Sequence, residues 1–188
     1  MKKWLVMVAV AGAAAASWGS GVRVLWTSGV GEAYGEAARA ALERNANVDA
    51  AAAAVDAAEE DGEDLKAFGA RVAGDWDGLT IVLAAAGNSE SFGVLDRDRG
   101  VASINVSRLA DGHPAAEQLA GRVTREVLRG YAWLVGLEWC PFPLCVLTGC
   151  HSPEELDSMS LNYCPPCWEK IRGLETELGF ELLPVAQP

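Results

Sequence analysis

Histidine is scarce in this chain of 188 residues, which contains only His113 and His151. A catalytic zinc ion usually takes three protein ligands and leaves one position open for water. Two histidines cannot supply a three-histidine site, so a catalytic metal would need carboxylates such as Glu126 and Glu138 beside His151. These residues have no spacing that is typical of a metal site, and His113 is expected at the far end of the longest helix.

Positive charge is also in short supply. The chain has 15 Lys and Arg against 26 Asp and Glu, and its formal net charge is -11. An acidic surface repels phosphate backbones and anionic lipids, so no nucleic-acid or membrane-surface partner is expected. The G-x-S-x-G, P-loop and dinucleotide-binding fingerprints are absent as well, which removes the common signatures of serine hydrolases and nucleotide-binding proteins.

Apolar runs are too short to span a bilayer. The N-terminal run, Trp4–Ala16, follows Lys2 and Lys3 and ends in three alanines that match a cleavage site. This order predicts a secretory signal peptide over residues 1–19. The single domain of residues 20–188 would then be secreted or periplasmic, without a stable membrane anchor. A retained anchor and a buried N-terminal strand are the alternatives.

The hydrophobic periodicity predicts an α+β fold with a small mixed sheet. The charged segment Asp96–Gly100 is expected at the tip of a hairpin. The longest helical pattern, Pro114–Leu137, carries its apolar residues on one face, and Gly136 stands where a chain reversal could end it. The alanine-rich segment Val48–Glu60 is expected to be helical. Further strands are expected at residues 21–26, 79–85, 91–95 and 101–106, and further helices at residues 31–45 and 65–72.

Cysteine is absent from the first 139 residues and then occurs five times. Cys140 and Cys145 form a C-x4-C pair, and Cys164 and Cys167 form a C-P-P-C pair. Two close pairs separated by a loop can bring four thiolates to the corners of a tetrahedron, which suits a structural zinc ion with no open position. Disulfides are the alternative in an exported protein. A redox role for C-P-P-C would leave the first pair unexplained.

The segment Ser91–Trp168 resembles the archaemetzincins, a metzincin-type family of zinc proteases. That family joins a helix of pattern H-E-x-x-H-x-x-G-x-x-H to a cysteine and a second zinc site of four cysteines. Ser91–Leu109 is similar to the family's edge hairpin and strand, and Arg122–Leu137 to its active-site helix. The resemblance implies a metzincin-like mixed sheet and zinc held by the four cysteines. Three residues between the cysteine pairs also fit the pattern: Ser152, Asp157 and Tyr163.

The departures from the family pattern fall on the catalytic positions. Counting back from Gly136 at the turn glycine, Arg129 and Trp133 replace the first two histidines. Gly130 replaces the catalytic glutamate, and Trp139 replaces the third histidine. Every ligand of the catalytic zinc and the general base are therefore missing, whereas the four cysteines are intact.

The resemblance and its departures together imply an exported pseudoprotease that keeps one structural zinc and has a binding or scaffolding role. An active zinc metallopeptidase with rearranged ligands is the alternative, and a disulfide-stapled domain without metal is a third hypothesis. Trp133 and Trp139 either pack into a closed cleft or line an open groove, in which Arg129 would bind a carboxylate or peptide terminus. The partner expected in such a groove is a peptide or protein extended along the edge strand.

Overall fold

The structure is a computed structural model that describes residues 21–60, 62–86 and 89–183, so the predicted signal peptide lies outside the described residues. The strands of the sheet are β1 (Val22–Thr27), β2 (Ala50–Val55), β3 (Leu79–Ala84), β4 (Gly93–Asp96) and β5 (Val101–Asn105). The α-helices are α1 (Glu32–Ala46), α2 (Leu65–Ala73), α3 (Val106–Leu109), α4 (Ala116–Leu134), α5 (Pro153–Ser158) and α6 (Pro165–Glu177).

The five strands form one mixed sheet in the order β2-β1-β3-β5-β4. Four of them are parallel, and β4 pairs antiparallel with β5 at one edge. The predicted hairpin is confirmed, with Gly93 opposite Ile104 and a short 3-10 turn, Arg97–Arg99, at its tip. The predicted fold class, an α+β arrangement around a small mixed sheet, is confirmed.

The alanine-rich segment is a strand, and its predicted helix is wrong. Ala50–Val55 forms the edge strand β2, which pairs in parallel with β1 from Val22↔Ala50 to Thr27↔Val55. Helix propensity favours alanine by only about 0.5 kcal/mol per residue over ordinary residues. Backbone pairing with the buried β1 and packing beneath α1 outweigh that preference.

Helices cover both faces of the sheet. A Cβ added to Gly130 of α4 would lie 3.1 Å from Ala102, and one added to Gly69 of α2 would meet Ser103. Because neighbouring residues of a strand point to opposite faces, α4 and α2 lie on opposite sides of β5. Helix α1 packs against α4 and therefore shares its side.

The cysteine-rich part of the chain belongs to the same core as the sheet. One cluster of buried side chains runs from Val24 and Leu42 through Val127 of α4 to Cys145 and Ile171. No helix within the described ranges is long and apolar enough to cross a membrane. The residues after α4 are thus part of the domain's core, which fixes their position relative to α4.

Candidate metal centre and the face of helix α4

The four predicted cysteine ligands converge on one point. The Sγ atoms of Cys140, Cys145, Cys164 and Cys167 all lie within 4.8 Å of one another. All five cysteines of the chain are free thiols, and the Sγ atoms of Cys140 and Cys164 are 3.8 Å apart. A tetrahedron with Zn–S bonds of about 2.3 Å has edges of about 3.8 Å. The donor set therefore fits a zinc ion if the longest Sγ–Sγ distances shorten by up to about 1 Å.

Local backbone geometry brings the two cysteine pairs together. The Cys145 N–H donates to Phe142 O at 3.1 Å, and the Cys140 N–H donates to Leu147 O at 3.1 Å, so the first pair lies in a tight knuckle. The second pair begins α6, where Cys164 is the N-cap residue and two prolines follow. Proline suits these positions because the first helical N–H groups need no intrahelical acceptor. The Cys164 N–H donates to Cys145 Sγ at 3.4 Å and links the pairs.

The thiols of this four-cysteine cluster differ in acidity. Burial raises the pKa of Cys145 and Cys167. Burial also acts to raise the pKa of Cys164, but hydrogen bonds from the Cys167 N–H and the neighbouring thiols outweigh it, and that pKa is lowered. A bound divalent cation would favour the thiolate form of all four groups. With four thiolates bound, zinc has no open position for water, so this site is structural in kind.

The three residues that fit the family pattern between the cysteine pairs all have structural roles. Ser152 is the N-cap of α5 and accepts a hydrogen bond from the Glu155 N–H. Asp157 accepts two hydrogen bonds from the buried guanidinium of Arg122, at 2.8 and 2.7 Å, and its pKa is lowered by them. The buried Tyr163 hydroxyl donates to Leu128 O at 2.6 Å. Each contact fixes the cysteine-bearing segment against α4 or caps a helix within it.

Arg129, which the resemblance placed at the first histidine of the family motif, is only 6% exposed. Its Nη1 donates to Val146 O at 3.2 Å and to Thr148 O at 2.6 Å. Its Nε lies 2.9 Å from Glu126 Oε1, although the N–H does not point along that line. Burial raises the pKa of Glu126, and the charge of Arg129 opposes that rise. Groups of the chain itself therefore already engage Nη1 and the charge of Arg129.

The other substituted positions differ in exposure. Trp133 is partly buried, and the Arg129 guanidinium lies 4.9 Å from the centre of its ring. Gly130 is buried against the sheet, where a Cβ would come 3.1 Å from that of Ala102. Trp139 is 62% exposed, and its Nε1 would lie 3.0 Å from a Cβ at Gly149. Helix α4 brings Arg129 and Trp133 together, whereas Trp139 lies on the following segment and faces solvent.

The histidines and carboxylates weighed for a rearranged metal site are not gathered around one point. In the part of the chain that the structure describes, the four-cysteine group is the only set of three or more potential ligands close enough for one ion. Glu126 is engaged with Arg129, and the exposed His151 donates its backbone N–H to Glu155. His113 lies before α4, as its sequence position predicts.

One buried polar contact was missed from the sequence. Glu175 of α6 is fully buried, and its Oε1 accepts a hydrogen bond of 2.6 Å from the Tyr131 hydroxyl of α4. Oε2 has no hydrogen-bond partner among the described residues. Burial raises the pKa of Glu175 to about 7. The sequence could have indicated the burial of Glu175, because this residue lies four positions after Ile171, on the face of α6 that packs against the core.

No protein-family model matches the sequence. A curated relative, an archaemetzincin of Pyrococcus furiosus, is 35% identical over 107 residues. The chain covers 54% of that relative and thus spans about half of its length.

Solved structures of the same kind share the fold. An archaemetzincin of Methanopyrus kandleri superposes with a TM-score of 0.63 at 21% identity, over 84% of this chain and 97% of that one. A zinc-dependent peptidase of Methanocorpusculum labreanum gives 0.64 at 16% identity, over 80% and 100%. An archaemetzincin of Archaeoglobus fulgidus gives 0.63 at 18% identity, over 79% and 99%.

The mixed sheet, the long helix beneath it and the four clustered cysteines define an α+β domain with a four-cysteine group that could hold a metal ion. The chain is similar in sequence to an archaemetzincin over 107 residues and shares the fold of the solved archaemetzincin structures. The resemblance to the archaemetzincins is confirmed.

Proposed function

We propose that this protein is an exported, archaemetzincin-like pseudoprotease with one structural zinc and no catalytic zinc, and that it acts as a binding or scaffolding protein. The structural zinc is held by Cys140, Cys145, Cys164 and Cys167. Export rests on the predicted signal peptide at residues 1–19. The bound partner is a peptide or protein that lies along the edge strand β4, near Trp133 of α4.

The observation that carries the loss of catalysis is the environment of Arg129. A catalytic zinc needs neutral or anionic ligands pointing into a cavity that water can reach. The position of the first ligand holds a cation, which is buried, donates to Val146 O and Thr148 O and pairs with Glu126. A dication next to this guanidinium would meet strong repulsion in a medium of low dielectric constant.

The position of the general base also supports the loss of catalysis. Gly130 has no side chain to accept a proton, and its backbone packs against Ala102 of β5. A glutamate at this position would need its Cβ in a space 3.1 Å from another Cβ, which is closer than such atoms normally approach. The packing therefore leaves little room for the base that a zinc peptidase uses to activate water.

An active metallopeptidase with rearranged ligands is the competing function. It would need a second group of ligands, for which Glu126, Glu138 and His151 are the available side chains. Glu126 is used by Arg129, and its carboxylate Oε2 faces Gly93 of β4 instead of a histidine. The pseudoprotease is therefore the better supported of the two functions.

Metal analysis of the protein, purified with its thiols protected from oxidation, tests the proposal. We expect about one zinc per chain, because the four-cysteine cluster is the one closed tetrahedral site among the residues that the structure describes. The double variant Cys164→Ser/Cys167→Ser should lose that zinc, whereas Cys150→Ser should keep it. Two zinc ions per chain would favour the metallopeptidase, and none would favour disulfides.

A peptidase assay addresses the catalytic part of the proposal directly. The zinc-loaded protein is incubated with casein and a pool of unstructured peptides, and products are detected by mass spectrometry. We expect no cleavage above that of the Arg129→Ala variant. Two results together would overturn the proposal. The native protein would have to cleave only with zinc bound, and the Glu126→Gln variant would have to lose that cleavage.

The export part of the proposal is tested by expressing the full chain in a bacterium and sequencing the N-terminus of the protein found outside the cytoplasm. We expect a new N-terminus near residue 20. Lys2→Glu/Lys3→Glu should slow export, because the basic segment orients a signal peptide. Full-length protein confined to the cytoplasm would contradict export without affecting the metal prediction.

A further inference from the structure

A cavity of about 750 Å³ opens beside the four-cysteine cluster, between segment 136–142 and α6. Its buried lining includes Leu137, Cys140 and Cys164, and its exposed lining includes Trp139 and Phe142. Arg129, Trp133 and β4 do not line it. The cavity therefore lies away from Arg129, Trp133 and β4, and Trp139 is the one residue of its lining that stands at a substituted catalytic position.

Large apolar side chains face solvent at the mouth of this cavity. Trp139 is 62% exposed, Phe142 is 47% exposed and the neighbouring Leu144 is 68% exposed. The described residues include two other exposed large hydrophobic side chains, Leu161 and Leu178. Three of these five exposed hydrophobic side chains therefore lie within the six residues 139–144. A local concentration of exposed apolar groups around a concave surface is typical of a binding site.

The charges around the cavity select the partner. Glu138 and Glu177 line it and form no ion pair within the described ranges, and Lys170 is the cation of the lining. The whole chain carries a net charge of -11. An acidic partner would be repelled by both the cavity and the molecule, whereas a basic one would be attracted. The exposed indole of Trp139 also offers a face for a cation.

We propose that this cavity binds a short segment of a partner protein that carries an aromatic or large aliphatic side chain next to lysine or arginine. The apolar side chain enters between Trp139 and Phe142, and the cation lies between Glu138 and Glu177. The volume accommodates two or three side chains, in the range of ordinary binding sites. The proposal goes beyond the function proposed above. The cysteine cluster forms one wall of the cavity, so binding requires that cluster to be folded. Binding does not depend on whether the protein has lost catalysis.

The probe is a pair of peptides, acetyl-Leu-Arg-Phe-Lys-Leu-amide and its acidic counterpart acetyl-Leu-Glu-Phe-Glu-Leu-amide. Each is titrated to about 2 mM into ¹⁵N-labelled, zinc-loaded protein, a range that detects weak complexes. We expect amide shifts confined to residues 136–144 and 164–177 with the basic peptide. Its Kd should be at least roughly tenfold below that of the acidic peptide.

Three variants test the assignment. Trp139→Ala should raise the Kd of the basic peptide by roughly tenfold, since aromatic anchors dominate such contacts. Glu138→Gln/Glu177→Gln should remove the preference for the basic peptide and its salt dependence. Leu161→Ala, an exposed apolar residue outside the lining, is the matched control and should leave the Kd unchanged.

Several outcomes would overturn the proposal. They are equal affinity for both peptides, no shifts at the highest concentration, or shifts on β4 and α4 in place of the cavity. A concentration-dependent dimer that Trp139→Ala abolishes would assign the surface to a second copy of the chain and would also overturn it. None of these outcomes changes the metal count or the peptidase result, so the two proposals fail independently.

Discussion

Arg129 joins α4 to the segment Val146–Thr148 through contacts that no small residue could replace. Its guanidinium joins α4 to the carbonyls of Val146 and Thr148, and it offsets the buried charge of Glu126. We expect Arg129→Met to lower the free energy of unfolding by about 3 to 5 kcal/mol, because it leaves a buried carboxylate unpaired. Urea denaturation at neutral pH measures the change.

The matched variants separate charge from packing. Arg129→Met/Glu126→Leu should be more stable than Arg129→Met alone, because neither charge is then buried without a partner. Arg39→Met, which breaks an exposed ion pair with Glu36 on α1, should change stability by less than about 1 kcal/mol. An Arg129→Met protein as stable as the Arg39→Met protein would show that the guanidinium contributes little.

Glu175 gives the molecule a pH dependence. Burial raises its pKa from 4.5 to about 7, and the hydrogen bond from Tyr131 opposes this. The folded state therefore holds its proton more tightly than the unfolded chain. The stability that this proton provides is fully present below about pH 4.5 and is lost as the pH rises through about 7. Above that pH, a buried carboxylate with one unpartnered oxygen is left in α6.

We expect Glu175→Gln to be more stable than the native protein at about pH 8, by roughly 2 to 3 kcal/mol, and similar to it at about pH 5. The glutamine oxygen can still accept from Tyr131. Chemical denaturation across this range, with Glu177→Gln of the exposed helix face as the control, measures the difference. Parallel pH profiles of the native and Glu175→Gln proteins would contradict the shift.

At the scale of elements, an ion pair clamps the short helix α5 to α4. Arg122 is 3% exposed, and it donates to Asp157 as well as to Leu109 O. We expect Asp157→Asn to lower the free energy of unfolding by about 2 to 4 kcal/mol at neutral pH, since Arg122 stays buried without its counterion. The Arg122 contact lowers the pKa of Asp157. This stabilisation is present above the unfolded pKa of 3.8 and is lost as the pH falls through the lower folded pKa.

The control for this clamp is Asp111→Asn, which removes an exposed ion pair with Arg108. It should cost less than about 1 kcal/mol. Amide hydrogen exchange locates the effect, and Asp157→Asn should increase exchange in α5 more than in β3. Equal effects of the two substitutions would mean that the clamp is no stronger than a surface ion pair.

Elements whose pattern repeats over many residues could be predicted, and those set by neighbours could not. The long amphipathic α4 and the hairpin around Gly100 carry their own periodicity and turn chemistry. The strand Ala50–Val55 has no such periodicity, because its residues are almost all alanine, which is small and apolar in a helix and in a strand. Its pairing with β1 determines that it is a strand. The short helix α5 depends on the Ser152 cap and on Asp157, whose partner lies 35 residues away.

The candidate site likewise contains residues that the sequence could predict and contacts that it could not. The four cysteines are identifiable because thiolate spacing is tied to metal geometry, and the structure brings them together. The internal contacts of Arg129 were not predictable, since its acceptors are backbone carbonyls of a distant loop and carry no sequence signal. Glu175 could have been recognised as a charge on an apolar helix face, but its partner Tyr131 could not.

At the scale of the whole molecule, the metal centre and the sheet share one core. Cys145 is fully buried in the same cluster as Val24 of β1 and Leu128 of α4. A tail that folded separately would have a core of its own, with few contacts to the sheet. Losing zinc should therefore destabilise the entire domain, because unpaired thiols would then line the space that the ion and its ligands hold together.

We expect zinc removal by a chelator to lower the Tm by at least about 10 °C while leaving a single unfolding transition, since each kcal/mol shifts the Tm of a domain this size by about 2 to 4 °C. Cys164→Ser/Cys167→Ser should behave like the chelated protein, and Cys150→Ser like the native one. Thermal melts followed at once by helix ellipticity and by tryptophan fluorescence test this. If the helix signal fell first and the rest of the domain kept its Tm, the cysteine-rich part would be an independent unit. Coincident transitions follow if the metal centre supports the same core as β1 and α4.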